Sequence, residues 1–330
     1  MDLALRPMST SQVLDRTFYL YRNNFVLFAG IAVITPALKL IALLVQLKVF
    51  GPITMPQQPE AMSPQFMQAL VIRALVGTIV GSVVYVVGTA LASSATAYAV
   101  SMVHLGKTTT IAESYSKVKP IFGRIMGLLC TILFFTMGPL LLSYLLFIAV
   151  ALSIVSFAKS GGGPAILAVA IIGGLLGFAL FIGAIVWIFF ALCRYALAVP
   201  ACTLENLGAM PSIRRSKFLT FGAKGGILGI IFLTGLMTVI LTYVFQLPAL
   251  LASNSMVMTA KTHLSMLATV WIYIADFLGG ALAGPIATIA LVLVYYDQRV
   301  RKEAFDLQLM MEAAGATPPP PPAMAAPGIS

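Results

Sequence analysis

The sequence predicts an all-α, polytopic membrane helix bundle, with six transmembrane helices and three amphipathic interfacial elbow helices arranged as three two-helix repeats. Composition is the first reason: of 330 residues, 60% are hydrophobic and 9% charged, whereas soluble domains are roughly half apolar and a quarter charged. The second is how the apolar residues are gathered, in six runs at about 25–47, 70–103, 125–157, 165–199, 225–251 and 266–296. Each is long enough for the helix of about 20 residues that crosses a bilayer. The third is a recurrence at intervals of about a hundred residues, a period that points to repeat architecture. Near Ser9, Thr110 and Pro211 a short basic amphipathic segment runs into such an apolar stretch. A membrane barrel would instead alternate apolar and polar residues in strands of about ten.

Residues 1–24 are polar and charged and hold no short apolar segment leading to a small-residue cleavage site. No removable signal peptide is expected, and the first span serves as its own insertion signal. Within this segment Ser9 is followed three residues later by Gln12, the spacing of a capping box that starts a helix. Leu14, Phe18, Tyr21 and Phe25 then share one helical face, with Asp15, Arg16 and Arg22 away from it. The second elbow repeats the device with Thr110 and Glu113, and its stripe is Ile111, Tyr115, Val118 and Phe122. In the third, Pro211 suits a first helical turn, and Ile213, Phe218 and Phe221 are loosely aligned. Such helices lie in the headgroup plane before the chain turns to cross.

Several runs exceed 30 residues, about 50 Å of helix for a hydrocarbon core of about 30 Å, so they must tilt, break or project into water. Gly161-Gly162-Gly163-Pro164 separates the third span from the fourth. Gly138-Pro139 in the third and Gly284-Pro285 in the sixth are candidate helix breaks, at corresponding places in a three-plus-three division of the chain. Gly77/Gly81, Gly173/Gly177 and Gly280/Gly284 have the spacing that lets helices pack closely.

Charge sets the orientation. Lys and Arg number three before the first span, four in 104–124, four in 201–224 and three in 297–306, against one in each remaining loop. By the positive-inside rule both termini lie in the cytoplasm. The expected layout is therefore a cytoplasmic amphipathic helix at 1–24, the membrane domain at 25–296, a cytoplasmic amphipathic helix at 297–314, and a disordered Pro/Ala-rich tail at 315–330. In the third of these, Asp297 and Arg301, Arg299 and Glu303, and Lys302 and Asp306 are spaced to pair four apart, while Tyr296, Val300, Ala304, Leu307 and Met311 continue one face.

Three segments resemble a known group. Leu5-Arg6-Pro7 with Val13 to Phe18 and Tyr21 to Phe25 is the first; Arg194 to Pro200, leading through Glu205 to Arg214-Arg215-Ser216, is the second. Tyr295-Tyr296-Asp297, leading to Arg299, Arg301, Lys302, Glu303 and Asp306, is the third and most specific. Together they resemble the membrane domain associated with some bacterial glycerophosphoryl diester phosphodiesterases, with Ala304 standing where that pattern favours glycine. The resemblance implies the membrane architecture alone. Catalysis in such enzymes resides in a separate metal-dependent barrel of about 250 residues, for which six spans leave no room.

Function is less legible. His104 and His263 stand in no carboxylate-rich constellation suited to a hard metal, so no enzyme activity and no cofactor are expected. Asp276 and Lys39 are the ionisable residues deepest in the apolar runs, and a Lys39–Asp276 pair is the specific expectation. Arg16, Arg22, Arg214, Arg215, Arg299, Arg301 and Glu303 make the candidate cytoplasmic surface. The cytoplasmic loops mix both charge signs, which argues against nucleic acid. Membrane lipid, and a second copy of the chain or a membrane-protein partner, are the expected associates. The leading reading is an accessory or scaffold protein of the cytoplasmic (inner) membrane. The alternative is a transporter or channel for a small solute or lipid, with Asp276 at its midplane site.

Overall fold

The computed structural model describes residues 7–51, 64–159, 164–258, 266–304 and 311, and these are almost wholly helical. In chain order the helices are α1 (Thr10–Asn23), α2 (Phe25–Ala32), α3 (Ile34–Phe50), α4 (Pro64–His104), α5 (Ile111–Val118), α6 (Phe122–Lys159), α7 (Pro164–Tyr195), α8 (Ala198–Leu204), α9 (Ala209–Thr220), α10 (Lys224–Met258) and α11 (Met266–Glu303). Six spans among them are long and apolar enough to cross a membrane, with α2 and α3 together making the first. The chain is a multi-pass membrane protein with an all-α bundle fold.

Neighbouring spans pack as hairpins, α3 on α4, α6 on α7 and α10 on α11, and α11 also lies against α1, α2, α3 and α4. That makes α11 the axis of the bundle. Of its most apolar stretch 56% is buried inside the protein, against at most 22% for any other span. Glycines permit the close approaches. A Cβ at Gly173 or Gly177 would strike Val150 or Phe147 of α6, and one at Gly280 would press on Pro36. The Gly-x-x-x-Gly faces at 173/177 and 280/284 are thus used within the bundle.

The three elbows form α1, α5 and α9, and their buried faces are not quite the predicted stripes. In α1 the inward residues are Val13, Thr17 and Leu20, while Phe18 and Phe25 are exposed. In α9 they are Ser212, Ile213, Ser216, Leu219 and Thr220, with Phe218 and Phe221 outside. An elbow has two apolar demands, the bundle on one side and lipid on the other. The small residues take the tighter contact and the four phenylalanines face outward, while Tyr21 and Tyr115 reach inward to Leu282 O and Ile31 O. Ser9 and Gln12 close the full capping box. Thr110 caps α5, but the Glu113 carboxylate turns away to Tyr98 and Thr109 and completes no box.

The expected breaks at Gly138-Pro139 and Gly284-Pro285 are absent: α6 and α11 continue through them without interruption. Proline deprives the carbonyl four residues earlier of its helical N–H, and for Pro139 that carbonyl belongs to Phe135. The indole Nε1 of Trp187 on α7 donates to it at 2.8 Å. Beside Pro285, the Tyr21 hydroxyl donates to Leu282 O at 2.7 Å, and beside Pro248 Trp271 Nε1 donates to Phe245 O at 3.2 Å. Side chains from neighbouring helices serve carbonyls in the opened turns, which is how a bilayer-embedded helix keeps a proline. The discontinuity that does occur lies at Val33, between α2 and α3 and three residues before Pro36.

α11 ends at Glu303, where Ala304 adopts a left-handed backbone with φ 50°, and residues 305–310 and 312–314 of the expected cytoplasmic helix lie outside the described residues. Asp306, Leu307, the tail after Gly315, Gly161, Gly162, Gly163 and His263 lie outside the described residues.

Candidate functional site

All three elbows gather at the end of the bundle where α1 begins and α11 ends, and the charged residues there interlock. Glu205 follows α8, Arg215 lies in the middle of α9, and Tyr295, Arg299 and Glu303 stand four residues apart along α11. One face of α11 therefore presents a hydroxyl, a cation and a carboxylate in line. Arg215 spans the gap between elements: its Nη2 donates to Glu303 Oε2 at 2.7 Å, its Nη1 also meets that carboxylate, and its Nε donates to Glu205 Oε1 at 2.9 Å. The Tyr295 hydroxyl donates to the same Glu205 oxygen. Arg299 Nε closes the set on Glu303 at 3.2 Å.

Two guanidinium groups and two carboxylates balance one another. Burial opposes the charge on Arg215, but its hydrogen bonds and attraction to Glu303 and Glu205 outweigh this and hold its pKa above the ordinary guanidinium value. Nearby, Lys217 moves the other way, lowered first by burial and then by Arg194 and Arg214. Beside this network Ser216 Oγ donates to Arg194 O at 2.8 Å and accepts from Leu197 N at 3.2 Å, pinning α9 to the turn between α7 and α8. Lys302 Nζ donates to Phe218 O and Phe221 O at the C-terminal end of α9, where a cation also meets the negative end of the helix dipole.

The N-terminal segment is tied to the same place. Met8 N donates to Asp297 Oδ1 at 2.7 Å, and Arg301 donates from Nε to Asp297 Oδ2 at 2.8 Å and from Nη2 to Met8 O at 2.7 Å. The candidate surface set is thereby divided. Arg16, Arg22 and Arg214 are exposed and Arg301 is half-exposed, but Arg215, Arg299 and Glu303 are side chains of the locked network. Glu205 and Tyr295, which the sequence reading did not single out as site residues, are members of it. Their signal was weak: an acid just past a span and one tyrosine among eleven.

A second feature lies within the membrane. Lys39 Nζ stands 2.7 Å from Asp276 Oδ2, so the expected pair is formed, with the two side chains 46% and 28% exposed. The partial exposure differs from an inward-facing site. Lys39 sits at one end of a groove of about 560 Å3 between α3 and α4, whose walls include Val45, Val49, Val76 and Val80. Gly284 and Pro285 are about two turns further along α11 from Asp276. Gly138 and Pro139 belong to α6, whose main neighbour is α7, so the structure does not assemble both Gly-Pro pairs around one path. Among the described residues no group of three or more His, Cys, Asp or Glu is placed to hold a metal ion. His104, at the end of α4, lies with its ring 5.4 Å from that of Tyr296.

Comparison with known proteins gives no match: no protein family, no curated protein and no solved structure is significantly similar to the chain.

Proposed function

We propose that this is a non-enzymatic scaffold of the cytoplasmic membrane, which holds a membrane-protein partner through its elbow face. The observation that carries the reading is the joining of three chain segments by the Glu205–Arg215–Glu303–Arg299 network. It ties α8, α9 and α11 together, while Asp297 and Arg301 tie down the segment before α1. A docking surface is useful when its shape is fixed before binding, because ordering it during binding would weaken association. Arg16, Arg22 and Arg214 point outward from this base and suit an acidic partner. The positive-inside distribution puts the face in the cytoplasm. The resemblance to the phosphodiesterase-associated membrane domain belongs to the same proposal, as architecture without catalysis.

Native purification in mild detergent followed by mass spectrometry tests this. A membrane protein should co-purify at fixed stoichiometry and be lost when Arg16, Arg22 and Arg214 are replaced by Glu. Recovery of the chain with lipid or a small solute and no protein would overturn the reading.

The Lys39–Asp276 pair favours a second reading, transport of a small solute or lipid, because a half-exposed ion pair at this depth is available to a passing ligand. If transport is ion-coupled, Asp276→Asn should abolish it; a variant with unchanged expression and flux would exclude that mechanism.

A further inference from the structure

A groove of about 650 Å3 opens on the elbow face between the start of α1, the α9–α10 junction and the last turns of α11. Its two ends differ in chemistry. Arg301 and Lys302 stand at the rim and the exposed Phe221 and half-buried Met8 supply the accessible apolar surface, over a buried floor of Val13, Ile227, Ile230 and Val294. Val294 and Arg301 are seven residues apart on one helix, about 10 Å. The groove thus descends from the charged end of α11 toward its membrane-embedded stretch.

The rim carries a net positive charge. Asp297 also lines the groove, but its carboxylate already accepts from Met8 N, Gln298 Nε2 and Arg301 Nε. Two cations against this one satisfied carboxylate leave one positive charge. Donors remain as well. Arg301 uses Nε and Nη2 within the protein and keeps Nη1 free among the described residues. Lys302 uses two N–H groups on Phe218 O and Phe221 O and, among the described residues, retains a third.

We propose that this groove binds one anionic phospholipid of the leaflet at the elbow face. The headgroup phosphate lies between Arg301 and Lys302, and the upper part of an acyl chain follows Phe221 and Met8. Polarity and charge select the occupant together. A free inorganic anion gains nothing from the apolar wall, and a zwitterionic lipid brings its own cation to a positive rim. The size is in the range of sites that hold a compact organic ligand. This proposal stands apart from the scaffold reading, since a lipid site serves a scaffold or a transporter equally.

The test uses the full-length protein in detergent, titrated with dioleoyl phosphatidylglycerol or dioleoyl phosphatidylcholine and followed by native mass spectrometry. Phosphatidylglycerol should bind at least tenfold more tightly. Replacing both cations, Arg301→Gln with Lys302→Gln, should weaken it by roughly ten- to thirtyfold, the combined effect of two basic residues near an anionic headgroup. Gly226→Phe fills the groove with both cations retained and should also abolish binding, because a Cβ there already reaches within 3.4 Å of Thr10 Oγ1. Equal affinity for the two lipids, or wild-type binding by Gly226→Phe, would overturn the proposal. So would displacement of phosphatidylglycerol by low-millimolar inorganic phosphate, which would make the groove a site for a free anion. Should the double variant not fold, the lipid comparison and Gly226→Phe still decide.

Discussion

Arg215 of α9 and Glu303 of α11 meet face to face, with Nη2 2.7 Å from Oε2 and Nη1 on the other carboxylate oxygen. Two parallel hydrogen bonds between planar groups fix orientation as well as distance. The side chains are only 12% and 4% exposed, so neither charge has water to fall back on. Arg215→Ala should therefore destabilise the protein, but by less than the about 3–5 kcal/mol of a fully stranded buried charge, because Arg299 still pairs with Glu303. Arg215→Lys should recover only part of this, because an ammonium cannot reproduce the fork. Thermal unfolding in detergent measures both; an alanine variant as stable as wild type would remove the network from the account of the fold.

Trp187 tests the treatment of intramembrane proline. Trp187→Phe keeps the ring and deletes the donor to Phe135 O, and should lower stability by about 1 kcal/mol. In a Pro139→Ala background the helix supplies its own N–H at position 139. The same tryptophan substitution should there be close to neutral, and the double-mutant cycle reads the difference.

The Lys39–Asp276 pair makes a prediction that does not depend on transport. Lys39→Met or Asp276→Leu alone strands a charge that is worth about 2.5–3.5 kcal/mol on insertion scales, and each should reduce folded yield severalfold. The double replacement leaves no charge and should restore the yield. Fluorescence-detected size exclusion of the solubilised protein separates these outcomes, and additive losses in the double variant would argue that the two residues act independently.

Ala304 ends α11 in a left-handed conformation, which is unfavourable for an L-residue with a side chain by roughly 1–2 kcal/mol. Glycine adopts it freely but loses more chain entropy on folding, about 0.5–1 kcal/mol. Ala304→Gly should leave a net gain of up to about 1.5 kcal/mol in thermal stability. A loss would mean that the alanine methyl makes a contact worth more than the backbone strain.

The spans and the elbow starts were readable from local chemistry. Ser9 with Gln12 and Thr110 with Glu113 lie three residues apart, and the i,i+4 pairs Asp297–Arg301 and Arg299–Glu303 share a helix. Such features depend on neighbours that the chain itself keeps close. Lys39 with Asp276 was also accessible, since two charges of opposite sign in apolar runs have few other partners. The Gly-Pro breaks misled because the remedy was remote: nothing near Pro139 indicates that Trp187, 52 residues from Phe135, will occupy the vacated carbonyl. Lys302 shows the same limit, since its observed partners are carbonyls at the end of α9, 81 and 84 residues away in the chain.

Membrane class, helix content and the number of spans followed from composition and run length, because transfer of apolar side chains into lipid is a property of each segment alone and backbone hydrogen bonding in lipid forces helices. The roles of the charged residues required the packed bundle. Arg215 and Glu303 are 88 residues apart, and in the chain they look like two members of an exposed basic-acidic surface. Packing of α9 against α11 brings them within hydrogen-bonding distance and excludes water, and it is this desolvation, absent from any linear pattern, that converts surface charges into a structural lock.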